Sequence, residues 1–314
     1  MAARLVTVFG GSGFLGRYLV AALAKRGFLV RVAVRRPDEA LFLKPAGDVG
    51  QITPVAANIR NRRSVEAAVE GAWAAVNLVG LLYEGGRQRF QAVHVDGARS
   101  AAAAAHAAGA ERFIQVSAIG ADPGSSANYA RTKALGETAV QESFPGATIV
   151  RPSILFGPED DFFNRFAAMA RVLPALPLVG GGHTRFQPAY VADVAQAIVR
   201  MLEDPATRGR TYELGGPKAY SFKQLLEIML KEIGRKRLLL PLPFPLARIE
   251  AAFLELLPVP PLTRDQVRLL ERDNVVMPGV LGFAELGIRP TAMELVLPTY
   301  LARYRPGGRH AVAA

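Results

Sequence analysis

Few folds accommodate a stretch like TVFGGSGFLGRY at residues 7–18, an apolar run that stops at glycine and then resumes with helical spacing. The run ends at Phe9, the glycines recur as Gly10-x-x-Gly13-x-x-Gly16, and the apolar helical pattern FLGRYLVAALAKRG follows. In a strand, turn and helix of this kind the first glycine permits the tight turn, and the second lets backbone approach a pyrophosphate. The third lets the helix pack closely on the strand. The helix N-terminus then offers unpaired N–H groups and a partial positive charge to phosphates. With a second strand pattern following, this context favours a dinucleotide-binding turn over a purely structural one.

The rest of the first half repeats the alternation. RLVTVF, LVRVAV, QITPVA, AAVNLVG, RFIQVS and TIVRPS read as strands, with helical patterns at 14–27, 63–71, 89–109 and 126–143. Strand and helix alternating in this way predict an α/β fold, a Rossmann-type doubly wound parallel sheet covered on both faces. After Gly157 the pattern changes: helices near 160–172, 191–204, 221–234, 263–272 and 292–303 are separated by Pro/Gly-rich segments and a strand, RTYEL. The expected organisation is a nucleotide-binding half over 1–157, a smaller mixed α/β, substrate-like half of the same unit over 158–304, and a disordered tail over 305–314.

Composition removes several classes of chemistry. The 314 residues include no cysteine, so thiolate metal sites and disulfides are excluded, and the four histidines lack ligand spacing, so no metal is expected. The formal charge of +11 implies an acidic partner. No interleaved basic and aromatic motif and no recognition helix accompanies it, so nucleic acid is not the expected one. The first strand begins near Arg4, which leaves no room for a presequence, so the chain is expected to stay where it is made. LLLPLPFPLARIEAAFLELLPVPPL, from Leu238, carries Arg248, Glu250 and Glu255 among its prolines and cannot be a transmembrane helix. Arg235, Lys236 and Arg237 directly precede it, a pairing of cations and apolar surface that suits a boundary with a membrane or another protein as well as a buried core helix.

Two groups of residues carry candidate chemistry. About 20 residues beyond the last glycine, where an NAD-binding chain presents an acid to the ribose hydroxyls, Arg35 and Arg36 stand instead. A guanidinium there pairs with the 2′-phosphate of NADP. The alternatives are arginine scattered through a basic protein and Asp38 acting as the missing acid beyond Pro37. Further on, Ser117 ends the strand FIQVS, and Tyr129 and Lys133 lie four apart, on one face of the next helix. There a lysine can lower a tyrosine pKa while the serine binds a substrate oxygen.

With these residues the chain resembles the extended and atypical short-chain dehydrogenase/reductases, as do RPSILFGP from Arg151 and QPAYVADVAQAI from Gln187. LKPAGDVGQITPVAANIRN from Leu43, FPGATIVRPSILFGPEDDFFNRFAAMA from Phe144, LPLPFPLARIEAAF and PPLTRDQVRLL narrow the resemblance to the nucleotide-binding accessory subunit of respiratory complex I and its bacterial relatives. That resemblance implies an NADPH-binding subunit near the membrane junction, peripheral to the cytoplasmic face of a bacterial inner membrane and in contact with other complex I subunits. It implies no established reaction. The residues assigned to the cofactor are Gly10, Ser12, Gly13, Phe14, Leu15, Gly16, Arg35, Arg36, Asn58, Ile59, Val79, Gly80, Tyr129, Lys133, Pro152 and Ile154. Ser117, Tyr129 and Lys133 form a catalytic or vestigial triad, and the alternative function is a free-standing NADP-dependent reductase or epimerase. Two departures stand out: His94 replaces an asparagine of the family's proton relay, and Asn58 replaces the acid expected beside adenine.

Overall fold

The computed structural model describes residues 4–308. These form two compact units that interleave along the chain. The first takes in the chain to Pro152 together with Val191–Leu214 and Gly279–Ile288; the second holds Ser153–Tyr190, Gly215–Pro278 and the chain from Arg289. The first crossing therefore falls at Pro152, upstream of the change of pattern at Gly157.

In the first unit the apolar, β-branched runs form strands β1 (Leu5–Phe9), β2 (Leu29–Val34), β3 (Ile52–Ala56), β4 (Ala74–Asn77), β5 (Arg112–Val116) and β6 (Thr148–Pro152). Between them lie helices α1 (Phe14–Lys25), α2 (Arg62–Val69), α3 (Ala98–Ala107) and α4 (Asn128–Ser143). The second unit opens with β7 (Leu155–Phe156), α5 (Phe162–Val172), β8 (Ala175–Val179), β9 (Arg185–Phe186) and β10 (Ala189–Tyr190). The chain then returns to the first unit for α6 (Val191–Glu203) and β11 (Thr211–Leu214). The sheet is seven-stranded, every pair is parallel, and its order is β11, β6, β5, β4, β1, β2, β3. The expected doubly wound sheet is thus the observed one, and its order reverses between β1 and β4, where such sheets open a crevice at their carboxyl ends.

Burial on both faces explains the uninterrupted apolar strands: Val6, Val8, Val30, Val32, Val76 and Ile114 are all inaccessible or nearly so. The alanine-rich α3 lies against α2 and α4, and Asn61 caps α2 by accepting from the Ser64 N–H at 3.3 Å. One helix reading differs in kind. The pattern at 89–109 is a π-helical segment, Gln91–Gly97, continued by α3.

The second unit is completed by β12 (Tyr220–Ser221), α7 (Phe222–Glu232), β13 (Leu238–Leu242), α8 (Phe244–Leu254), α9 (Arg264–Leu269) and α10 (Met293–Leu301). Its core gathers Phe156, Phe163, Phe186, Phe222, Leu226 and Met229. Capping boxes at Ser221 and Thr263 start α7 and α9. Of the tail expected at 305–314, residues 309–314 lie outside the described residues, and Arg305 donates to the Glu232 carbonyl at 2.8 Å.

Candidate functional site

The glycine turn connects β1 to α1 at the point where the sheet order reverses. Gly10 has φ +77°, a conformation that a β-carbon disfavours, and its N–H donates to the Ala33 carbonyl at 3.0 Å. A β-carbon at Gly16 would lie 2.5 Å from the Gly11 carbonyl oxygen and 2.6 Å from that of Gly10, so only glycine lets α1 start this close to the turn. Gly13 is exposed and is the N-cap, and no side chain caps the helix. The first-turn amides of Phe14, Leu15 and Gly16 therefore lack a side-chain cap, and Ser12, next to Gly13, is partly exposed. These residues fit a bound pyrophosphate.

The ends of β2 and β3 shape the next part. A cavity of about 230 Å³ is lined by Arg35, Ala56, Ala57, Asn58, Asn61 and Ser64. The Asn58 side-chain oxygen accepts from the Arg60 N–H at 3.1 Å, which leaves its amide nitrogen as a donor. Arg35 and Arg36 are both exposed but differ in company. Arg36 is paired with Glu39 at 2.8 Å, whereas Arg35 lines the cavity. Asp38 lies in the first turn of the 3₁₀ helix Pro37–Ala46. Arg17, which the sequence reading passed over, stacks its guanidinium 5.2 Å from the Phe42 ring centroid beside this turn. The signal available was an arginine directly after the third glycine.

Beyond β4, Val79 lies against the turn: its Cγ2 and N would be 3.2 and 3.4 Å from a β-carbon on Gly10, and its N–H donates to the Asn77 side chain at 3.1 Å. Gly80 follows, beside the His94 ring. Ile59 is turned into the core against Gly97. Pro152 is buried at the end of β6, and Ile154, in the second unit, packs on that unit's core.

The structure places Ser117 at the end of β5 and Tyr129 and Lys133 on α4. The Ser117 hydroxyl is buried and has no hydrogen-bond partner among the described residues, so a water or a ligand group is left to satisfy it. Lys133 Nζ donates to the Val116 carbonyl at 2.8 Å, and burial, opposed by Glu137, brings its pKa down to about 8. Tyr129 sits edge-on to Phe90 and His94, with centroids at 6.0 and 5.4 Å, and burial pushes its phenol up to about 12. The lowering of the tyrosine pKa expected from Lys133 is therefore not realised in this arrangement. Arg151 extends the charge alternation, meeting Glu137 at 2.6 Å and Glu213 at 3.5 Å.

His94 lies in the π-helical segment. Its Nε2 accepts from the Leu81 N–H at 3.0 Å, and its Nδ1 is 3.0 Å from Thr132 Oγ1. Burial and the Lys133 ammonium bring its pKa down to about 3, so the ring is neutral at physiological pH.

Known proteins share this architecture and sequence. The NAD dependent epimerase/dehydratase family matches residues 6–215. NADH dehydrogenase (ubiquinone) 1 alpha subcomplex subunit 9, mitochondrial, of Arabidopsis thaliana is 39% identical over 316 residues, spanning 97% of this chain and 79% of that protein. The NADH-ubiquinone oxidoreductase 40 kDa subunit, mitochondrial, of Neurospora crassa is 35% identical, spanning 95% and 79%. A ceramide reductase of Caulobacter vibrioides is 34% identical over 243 residues, spanning 77% of this chain and 74% of that protein.

Proposed function

Because the chain belongs to the NAD dependent epimerase/dehydratase family, and within it to the relatives of complex I accessory subunits, we propose that it is an NADPH-binding accessory subunit of respiratory complex I. The observation that carries this reading is similarity through 97% of the chain, the second unit included, to a subunit named for that complex. On this reading the protein lies peripherally on the cytoplasmic face of a bacterial inner membrane. There it contacts other complex I subunits and binds no nucleic acid. Among the described residues no helix is long and apolar enough to cross a membrane.

The residues divide the work of holding the nucleotide. Gly10, Ser12, Gly13 and the amides at the start of α1 take the pyrophosphate. Arg35 takes the 2′-phosphate, with Arg36 and Arg17 adding charge, and Asn58 takes the adenine. Val79, Gly80 and Pro152 line the remainder, and Lys133 and Tyr129 take the nicotinamide ribose. A bound nicotinamide supplies hydride chemistry. The protein's own proton chemistry is poorly poised, since the Tyr129 phenol is held up near 12 and the His94 ring is held neutral. The nucleotide accordingly acts as a structural ligand, stabilising the folded chain by mass action.

A second reading, a free-standing NADP-dependent reductase or epimerase, is favoured by the unpartnered Ser117 hydroxyl one residue from Val116, whose carbonyl accepts from Lys133 on the helix that also carries Tyr129. Thermal unfolding with and without NADPH separates the two. The account expects NADPH to raise Tm, Gly13→Val to abolish the rise, and Tyr129→Phe, which loses one ribose hydroxyl contact, to reduce it far less. A Tyr129→Phe variant that assembles normally but loses an NADPH-dependent turnover would favour the reductase.

A further inference from the structure

We infer that His94 is a positioning residue of the nucleotide site: its neutral imidazole straps the loop after β4 to α4, holding the glycine turn and Tyr129 in register. The inference rests on the nucleotide-binding reading above and concerns how that site is kept assembled.

The hydrogen bonds fix the tautomer. Leu81 N–H can only donate, so Nε2, at 3.0 Å, accepts and the ring proton resides on Nδ1. Nδ1–H then donates to Thr132 Oγ1, whose own hydrogen is directed to the carbonyls of Asn128 at 2.8 Å and Tyr129 at 3.1 Å. One end of this chain is the first turn of α4, which carries Tyr129. The other end is Leu81, two residues beyond Val79, the residue packed against Gly10. The ring itself is held face-on by Phe90, with centroids 5.1 Å apart, and edge-on by Tyr129.

The backbone is built to let this happen. A β-carbon on Gly136 would lie 2.0 Å from the His94 carbonyl oxygen, so only glycine at that position of α4 admits the π-helical segment so closely. His94 lies within this π-helical segment, and from there its ring meets Thr132. Protonation would break the strap. A second ring proton on Nε2 would face the Leu81 N–H, and the Lys133 ammonium would oppose the charge. The titratable groups facing the ring among the described residues are Lys133 and Tyr129, both on α4.

Two measurements test the inference. In nitrogen-15 NMR of the nucleotide-free protein, His94 should show a single neutral tautomer protonated on Nδ1 from pH 5 to pH 8; protonation on Nε2, or titration near the ordinary histidine pKa, would overturn it. In NADPH titrations His94→Phe, which keeps the stack and removes both hydrogen bonds, should bind about tenfold more weakly while its circular dichroism stays native. His94→Gln, whose amide offers an acceptor and a donor, should recover part of the loss. Wild-type protein that binds no NADPH would overturn the nucleotide reading and this inference with it. Wild-type binding matched by a folded His94→Phe would overturn the inference alone. If His94→Phe fails to fold, the NMR result and His94→Gln decide.

Discussion

Arg35 and Arg36 are neighbours in the chain with different neighbours in space. Arg36 is held by Glu39 on the surface, and any phosphate must compete with that carboxylate. Arg35 lines the cavity at the ends of β2 and β3. Replacing Arg35 by alanine should therefore cost NADPH binding about 1.5–3 kcal/mol, roughly tenfold or more in Kd, and leave NADH binding unchanged. Arg36→Ala should cost less than half as much. Fluorescence titration of both nucleotides checks the ranking, and equal losses for the two variants would count against it. The pair of arginines was legible because charge at a fixed distance after a glycine turn is a local signal. The difference between them was not, since Glu39 reaches Arg36 only once the 3₁₀ turn has formed. The tautomer of His94 was equally hidden, because its partners Leu81 and Thr132 lie 13 and 38 residues away.

Elements with their own periodicity were readable, and those made by neighbours were not. The six strands of the first half and the helices between them follow apolar runs and 3.6-residue spacing, which local chemistry sets. The π-helical segment has no period of its own in the sequence, and its close approach to Gly136 joins residues far apart in the chain. In the second unit β7, β9, β10 and β12 are two residues each, too short to leave a pattern. The proline-rich stretch from Leu238 resolves into β13, paired with β8, and α8. There Leu239 packs inward, while Leu238 and Leu240 alternate outward at 67% and 53% exposure. On α8 the small Ala247 and Ala251 face the core, and Leu246, Ile249 and Phe253 are exposed at 55%, 57% and 70%. The large apolar groups on the outer face suit burial against a partner. If the proposed peripheral attachment holds, replacing Leu246, Ile249 and Phe253 by serine should release the protein from membranes more than raised salt does, because apolar area would carry most of such an attachment and nearby cations only a screened part. Membrane fractionation reads the release. Thermal unfolding of the soluble variant should show near wild-type Tm, since exposed side chains contribute little to stability.

At the scale of the molecule, the two units share one chain by exchange of segments. Residues 191–214 return to the first unit, where α6 packs on α1 and β11 closes the edge of the sheet beside β6. Both strand and helix were readable as elements, but which unit they join is decided by pairing between distant segments, such as Thr211 with Ile149. Nothing local announces it. The first unit provides the glycine turn, and the second carries the exposed apolar face of α8. Under the proposed function the protein is a component of an assembly, on the strength of its similarity to complex I subunits along nearly its whole length. Affinity purification of the tagged, full-length protein from gently lysed cells, followed by mass spectrometry, tests this most directly. The account predicts that the core subunits of complex I co-purify with it and that NADPH is recovered from the complex; a wholly soluble monomer with no respiratory subunits attached would contradict it.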